Sequence, residues 1–221
     1  MMKKIYYWFH EKMSDPGERG EYSAGRWQDM VRKEALRLCR NDKGKLLEAG
    51  CGEGLFLVKL ASLNKKLDIY GIDNRPEILE KAEKKIEDNN CRNIKVIKAD
   101  AASMPFEDSY FDTVVCINVI FNLPSEDLLK KVLKEISRVC KKDAAFILDF
   151  RNKKNPFLYL KYKLAPFYDE TVKNLPLKTY TLREMSQFAE EAGFTVECKK
   201  MIGPKISLLA PIIILNLRKK S

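Results

Sequence analysis

Between residues 45 and 150, short apolar runs alternate with longer stretches of helical spacing. "KLLEAG", "LDIYGID", "IKVIKAD", "FDTVVCINVI" and "AAFILDF" have the length and composition of strands. Between them lie helix candidates at 54–64, at 76–90 with Pro76 suited to a first turn, and at 125–140. In the third, Leu128, Leu129, Val132, Leu133, Ile136, Val139 and Cys140 share one face. Strands this short and apolar, each followed by a helix, predict an α/β fold whose mostly parallel sheet is covered on both faces. Further on, "TLREMSQFAEEAG" carries a capping box, Thr181 with Glu184, and ends on Gly193. Two more β-type runs follow, "FTVECKKMI" and "PIIILNLRKK".

Neither a repeat nor a flexible linker divides the 221 residues, so a single domain is expected over 1–221. The six cysteines are scattered, without a CxxC pair, and read as small buried residues of a reducing compartment. His10 is the sole histidine, which argues against a zinc site, and no metal is expected. The N-terminal apolar run is too short for a signal peptide, and "ISLLAPIIILNL" is too short to span a bilayer, so a cytoplasmic location is expected. A formal charge of +10 suits RNA, an anionic membrane or an acidic small molecule, and equally the surface of a lysine-rich proteome.

Two parts break the strand–helix rhythm. Residues 1–44 precede the first strand, with aromatics at 6, 7, 8, 9, 22 and 27 and a helical pattern over about 25–40. Residues 151–180 form a long connection where about 2–6 residues would do. That insert carries six aromatics, and seven Lys or Arg against two acids. The core is thus 45–150, with an N-terminal lid at 1–44, an acceptor lid at 151–180 and a helix with paired strands at 181–221.

The stretch "LLEAGCGEG", residues 46–54, places Gly50, Gly52 and Gly54 where the first strand opens into the first helix. Ligands of open parallel sheets bind at that edge, near the point where strand order reverses. Alternate glycines there let a ligand touch backbone. A dinucleotide loop needs GxGxxG, but here the third glycine comes one residue early and Leu55 stands in its place. Glu48 aims an acid at the site, which disfavours a diphosphate and suits a cationic ligand. S-adenosylmethionine carries an ammonium and a sulfonium and no phosphate.

With these motifs the sequence resembles the class I S-adenosylmethionine-dependent methyltransferases, in the group that includes ubiquinone and menaquinone methyltransferases. The resemblance covers about residues 25–150 and rests on "LLEAGCGEG", "YGIDNRPE" and "KADAASMPFEDSYFDTVVCINVI" together. It implies a Rossmann-like fold: a seven-stranded, mostly parallel sheet with helices on both faces and an antiparallel C-terminal strand. It implies S-adenosylmethionine as cofactor and S-adenosylhomocysteine as product. Glu48, Gly50, Cys51, Gly52 and Gly54 would form the cofactor loop, and Asp73 with Asn74 would take the ribose hydroxyls. Asp100 and the Ala101 backbone would read the adenine edge. Asn118 would lie near the methionine portion, unless it is a loop asparagine. Arg19, Tyr22, Arg26 and Trp27 are lid candidates, with Trp27 equally suited to a helix face packed on the sheet. Asp112 reads as structural.

Methyl transfer from a sulfonium is an in-line displacement served by alignment and water exclusion. No catalytic triad is visible, and "INVIFNLPSED" lacks the histidine that many relatives carry after the fourth strand. Asp149, His10 and tyrosines of the insert are the available bases, with Asp149 equally suited to a structural role. "NVIFNLP" does not match the (D/N)PPY motif of amine methylation on DNA bases. The insert fits a lid over a small or lipid-like acceptor, and its lysines and aromatics also fit peripheral membrane contact. Methylation of RNA is the alternative that the charge permits. A non-catalytic cofactor-binding subunit is a third, against which the intact motif set argues.

Overall fold

The computed structural model describes residues 26–158, 160, 162, 176–203 and 209–220. Helix α1 (Arg26–Cys39) leads into β1 (Lys45–Ala49), α2 (Leu55–Leu63), β2 (Asp68–Asp73), α3 (Pro76–Asp88) and β3 (Ile94–Lys98). Then come β4 (Phe111–Cys116), a 3-10 turn (Ile120–Asn122), α4 (Glu126–Val139) and β5 (Cys140–Arg151). Helix α5 (Leu182–Glu191) and strands β6 (Phe194–Ile202) and β7 (Ile212–Lys219) complete the order.

The strands form one sheet in the order β3-β2-β1-β4-β5-β7-β6. Strands β1 to β5 pair in parallel, and β7 runs antiparallel between β5 and β6. Strand order reverses between β1 and β4, which places the mouth of a ligand crevice beyond their carboxyl ends. The seven-stranded, Rossmann-like sheet expected from the sequence is the one observed.

Alternation along each strand sends side chains to two cores. Leu47, Val114, Phe146, Phe150 and Leu215 face α4 and α5, while Leu46, Val115, Ile147 and Ile214 face α1 and α2. Each fully buried Leu, Ile or Phe contributes about 1.5–3 kcal/mol. The caps form as the sequence dictates. Glu184 N–H donates to Thr181 Oγ1 at 3.2 Å, and Thr181 N–H donates to Glu184 Oε2 at 2.7 Å. Ser125 caps α4 with a single bond, its Oγ accepting from Leu128 N–H at 3.2 Å.

Two boundaries differ from the sequence reading. Cys140 opens β5 instead of closing α4, because the chain turns straight from helix into strand. Arg151, read as the first residue of the insert, is the last of β5 and pairs with Ile212 of β7. Within the insert, residues 156–158, 160 and 162 are helical. Asn155 caps this segment, its Oδ1 accepting from Leu158 N–H at 2.8 Å, with Pro156 at the first helical position. Among the described residues no helix is long and apolar enough to cross a membrane.

Candidate active site

The loop after β1 is held by backbone bonds to the end of β2. Gly50 N–H and Cys51 N–H both donate to the Ile72 carbonyl, at 2.8 and 2.9 Å. Gly52 N–H donates to Asp73 Oδ2 at 3.1 Å, and Gly54 N–H to the Cys51 carbonyl at 3.0 Å. At Gly50, with φ +80°, a Cβ would come within 2.4 Å of Val119 Cγ2, so glycine is required for the loop to meet the turn after β4. At Gly52, with φ +53°, a Cβ would meet nothing within 4 Å. The first glycine therefore serves packing, whereas the second faces open space, as a ligand cradle must.

Two buried carboxylates flank this cradle. Glu48 is 3% exposed, and its Oε2 has no hydrogen-bond partner among the described residues. Burial pushes its pKa well up and the negative charge of Asp73 adds to the rise, while Arg32 of α1 pulls it down. Asp73, 7% exposed, accepts at Oδ1 from the Arg75 N–H at 3.1 Å and from Arg75 Nε at 3.3 Å. A cation bound between these acids would relieve the burial of Glu48 and occupy its orphaned oxygen.

Cys51 meets this site through its backbone and through its thiol, which lies 3.8 Å from the Gly52 carbonyl. Its side chain is buried, and a Cβ on Gly71 would lie 2.9 Å from its Sγ. Gly54 caps α2 with φ +71°, close against Ala82. Asn74 is exposed beside Asp73. Asp100 is exposed after β3, its Oδ1 accepting from Ala102 N–H at 2.8 Å in a local turn, with Ala101 part-buried beside it. Arg138 steadies the stretch that follows by donating to the Met104 and Phe106 carbonyls and to Glu135 and Asp108. Arg26 is exposed in the first turn of α1, and no described contact links it to the glycine loop. Trp27 lies against Gly203, where a Cβ would come within 3.0 Å of its ring, so it packs on the body of the protein. His10, Arg19 and Tyr22 lie outside the described residues.

Asn118 and Asp149 come together at the mouth. Asn118, with φ +59°, donates its N–H to Asp149 Oδ1. Asp149 is fully buried, and its Oδ2 takes Arg151 Nη1 at 2.7 Å. Burial pushes the Asp149 carboxyl up, against the pull of Arg151 and of the Asn118 N–H. Arg151 Nη2 lies 3.4 Å from Asn118 Oδ1, and the guanidinium carbon sits 4.0 Å from the Phe121 ring centroid. Burial raises the pKa of the Tyr162 phenol, while the positive charge of this guanidinium pulls it down. With both oxygens committed, Asp149 has the geometry of a support for the Asn118 turn.

Sequence reasoning did not single out Arg32, Val119, Arg151 or Phe121 as parts of this site. Asp149 and Arg151 carried a usable signal, since opposite charges two apart on a strand share a face. Arg32 and Val119 carried none, because they approach across the fold.

A cavity of about 240 Å³ opens at the opposite edge of the sheet, lined in part by Asp42, Asp112, Thr113 and Arg218. There Asp112 serves the fold, accepting from Lys45 N–H at 2.9 Å and from Lys141 Nζ at 2.7 and 2.8 Å. Among the described residues no cluster of His, Cys, Asp or Glu could hold a metal ion.

Comparison with known proteins agrees with this geometry. The chain is 28% identical over 150 residues to the phosphatidylethanolamine N-methyltransferase of Cereibacter sphaeroides, covering 66% of this chain and 71% of that protein. It is 28% identical over 191 residues to the demethylmenaquinone methyltransferase of Lactobacillus johnsonii, covering 79% and 75%. The fold matches a magnesium protoporphyrin IX methyltransferase from Synechocystis solved with bound SAH, with TM-score 0.71 and 17% identity over 99% and 96% of the two chains. It also matches a SAM-dependent methyltransferase from Aquifex aeolicus, with TM-score 0.66 and 20% identity over 96% and 97%. A family described as a methyltransferase domain matches residues 46–143, the stretch that builds the glycine loop and its flanking strands. Residues 46–143 thus match a methyltransferase domain, and the relatives and solved structures that the chain resembles over most of its length are methyltransferases.

Proposed function

We propose that this chain transfers a methyl group from S-adenosylmethionine to a small or lipid-like acceptor held at the mouth between β4 and β5. The observation that carries the reading is the cradle itself: open space at Gly52 beside the orphaned oxygen of buried Glu48. When bound, the cofactor supplies a methyl group on a sulfonium. Glu48 would neutralise its positive charge, Asp73 and Asn74 would accept from its ribose, and Asp100 and Ala101 would hold its adenine. The Gly50–Val119 contact keeps the loop and the Asn118 turn in one rigid unit. Asp149 and Arg151 hold that turn from below, leaving alignment and exclusion of water as the chain's contribution to the rate.

The acceptor class draws support from two relatives, whose names describe methylation of phosphatidylethanolamine and of demethylmenaquinone. The test is incubation with methyl-labelled S-adenosylmethionine and fractionated cell extract. Label should enter an organic-soluble or small aqueous product. Asp73→Ala should weaken cofactor binding about 10- to 100-fold, as expected for losing a charge-assisted contact. Label that is sensitive to ribonuclease, or turnover unaffected in Asp73→Ala, would overturn the reading.

A further inference from the structure

We infer that the helical segment beginning at residue 156 docks the enzyme on an anionic lipid surface; this rests on, and deepens, the reading of a lipid-like acceptor. The segment has two faces. Leu158, 7% exposed, and the part-buried Tyr162 lie four residues apart and turn inward. Phe157 and Leu160 lie three apart on the outer face and are 68% and 53% exposed. Both faces rest on firm anchors. Asn155 is buried and donates to the Leu209 carbonyl at 2.7 Å, while Asn152 donates to the Ala210 carbonyl at 2.9 Å. The exposed pair is therefore presented by structure.

Among the described residues the other large apolar side chain this exposed is Leu63, at 58%. It stands alone at the end of α2, and a lone exposed leucine is ordinary. Two such residues in one helical turn, at the mouth of the acceptor site, form a patch. The charge beside it fits an anionic surface. Lys153 and Lys154 are exposed just before the segment, and the Lys154 ammonium pairs with no described acid, whereas Lys153 shares Glu184 at 3.0 Å. Apolar side chains flanked by lysine suit the boundary between headgroups and acyl chains. Leucine offers no face for a base to stack on, so the outer pair suits lipid better than RNA. Because the segment follows directly on β5, whose Arg151 supports the Asn118 turn, a lipid-like acceptor would leave the bilayer beside the reacting centre.

The experiment is sedimentation of the full chain with vesicles of phosphatidylcholine, with and without phosphatidylglycerol, at low and physiological salt. The chain should bind the anionic vesicles, less so as salt rises. Phe157→Ser with Leu160→Ser should weaken binding about tenfold or more, Lys154→Gln by a few-fold, and Leu63→Ser not at all. Calorimetry with S-adenosylhomocysteine on the same proteins should give one affinity throughout, showing that all are folded. Equal vesicle binding by the double variant, binding to neither vesicle, or equal binding to both at every salt would overturn the inference. So would capture of bulk transfer RNA in place of vesicles. Failure to bind S-adenosylhomocysteine would instead sink the proposed function, and the vesicle arms would still be read.

Discussion

Glu48 is the side chain whose energetics and role pull hardest against each other. An acid that is 3% exposed with an unpartnered oxygen destabilises the ligand-free fold when ionised. Its folded pKa is raised, so its contribution to stability is fully present below the usual glutamate range and is lost as pH rises through the raised value. Glu48→Gln should therefore make the ligand-free protein more resistant to urea at neutral and alkaline pH, by about 1–3 kcal/mol, with no gain at acid pH. The same change should weaken S-adenosylmethionine binding about tenfold, because the amide cannot balance a cation. Parallel pH profiles for the two proteins would show that Glu48 is not the source. The motif placed this residue beside the glycines. What the motif does not encode is Arg32, which reaches Glu48 from α1 and moderates its charge.

Among the elements, α5 was legible almost to the residue, because its caps are local chemistry written within four positions. Thr181→Ala removes one half of the reciprocal box and should cost about 1 kcal/mol in chemical denaturation while leaving cofactor affinity unchanged. A shift in affinity would mean that α5 reports to the mouth through Tyr180, which stacks edge-on against Phe188 at 6.1 Å. The junction of α4 with β5 was less legible. Val139 and Cys140 are both fully buried, so burial alone does not mark where the helix stops and the strand starts. The helical segment beyond β5 was hidden for another reason. Its boundary signal, Asn155 followed by Pro156, sits amid aromatics that read as an irregular lid.

At the scale of the whole molecule, the parallel half of the sheet followed from the alternation of strand and helix, and the strand order puts the loop beside the β4 turn. The side-chain contacts that stiffen this meeting point come from opposite ends of the sequence and have no local signature. The Asp149–Arg151 pair beneath it is the exception, because its members stand two apart on β5. Arg151→Met would leave a buried carboxylate without its counter-ion and should cost about 3–5 kcal/mol, less at acid pH where Asp149 takes up a proton. Adding Asp149→Asn should recover much of that loss, and a double variant as unstable as the single one would place the damage elsewhere. The glycine loop carries a last consequence. The amides of Gly50, Cys51, Gly52 and Gly54 are all spent on partners within the fold. A phosphate asks a loop for free N–H donors, and this one has none to give at those positions. On the proposed function, discrimination between a nucleotide diphosphate and a sulfonium would work by omission, written into the backbone before any side chain takes part.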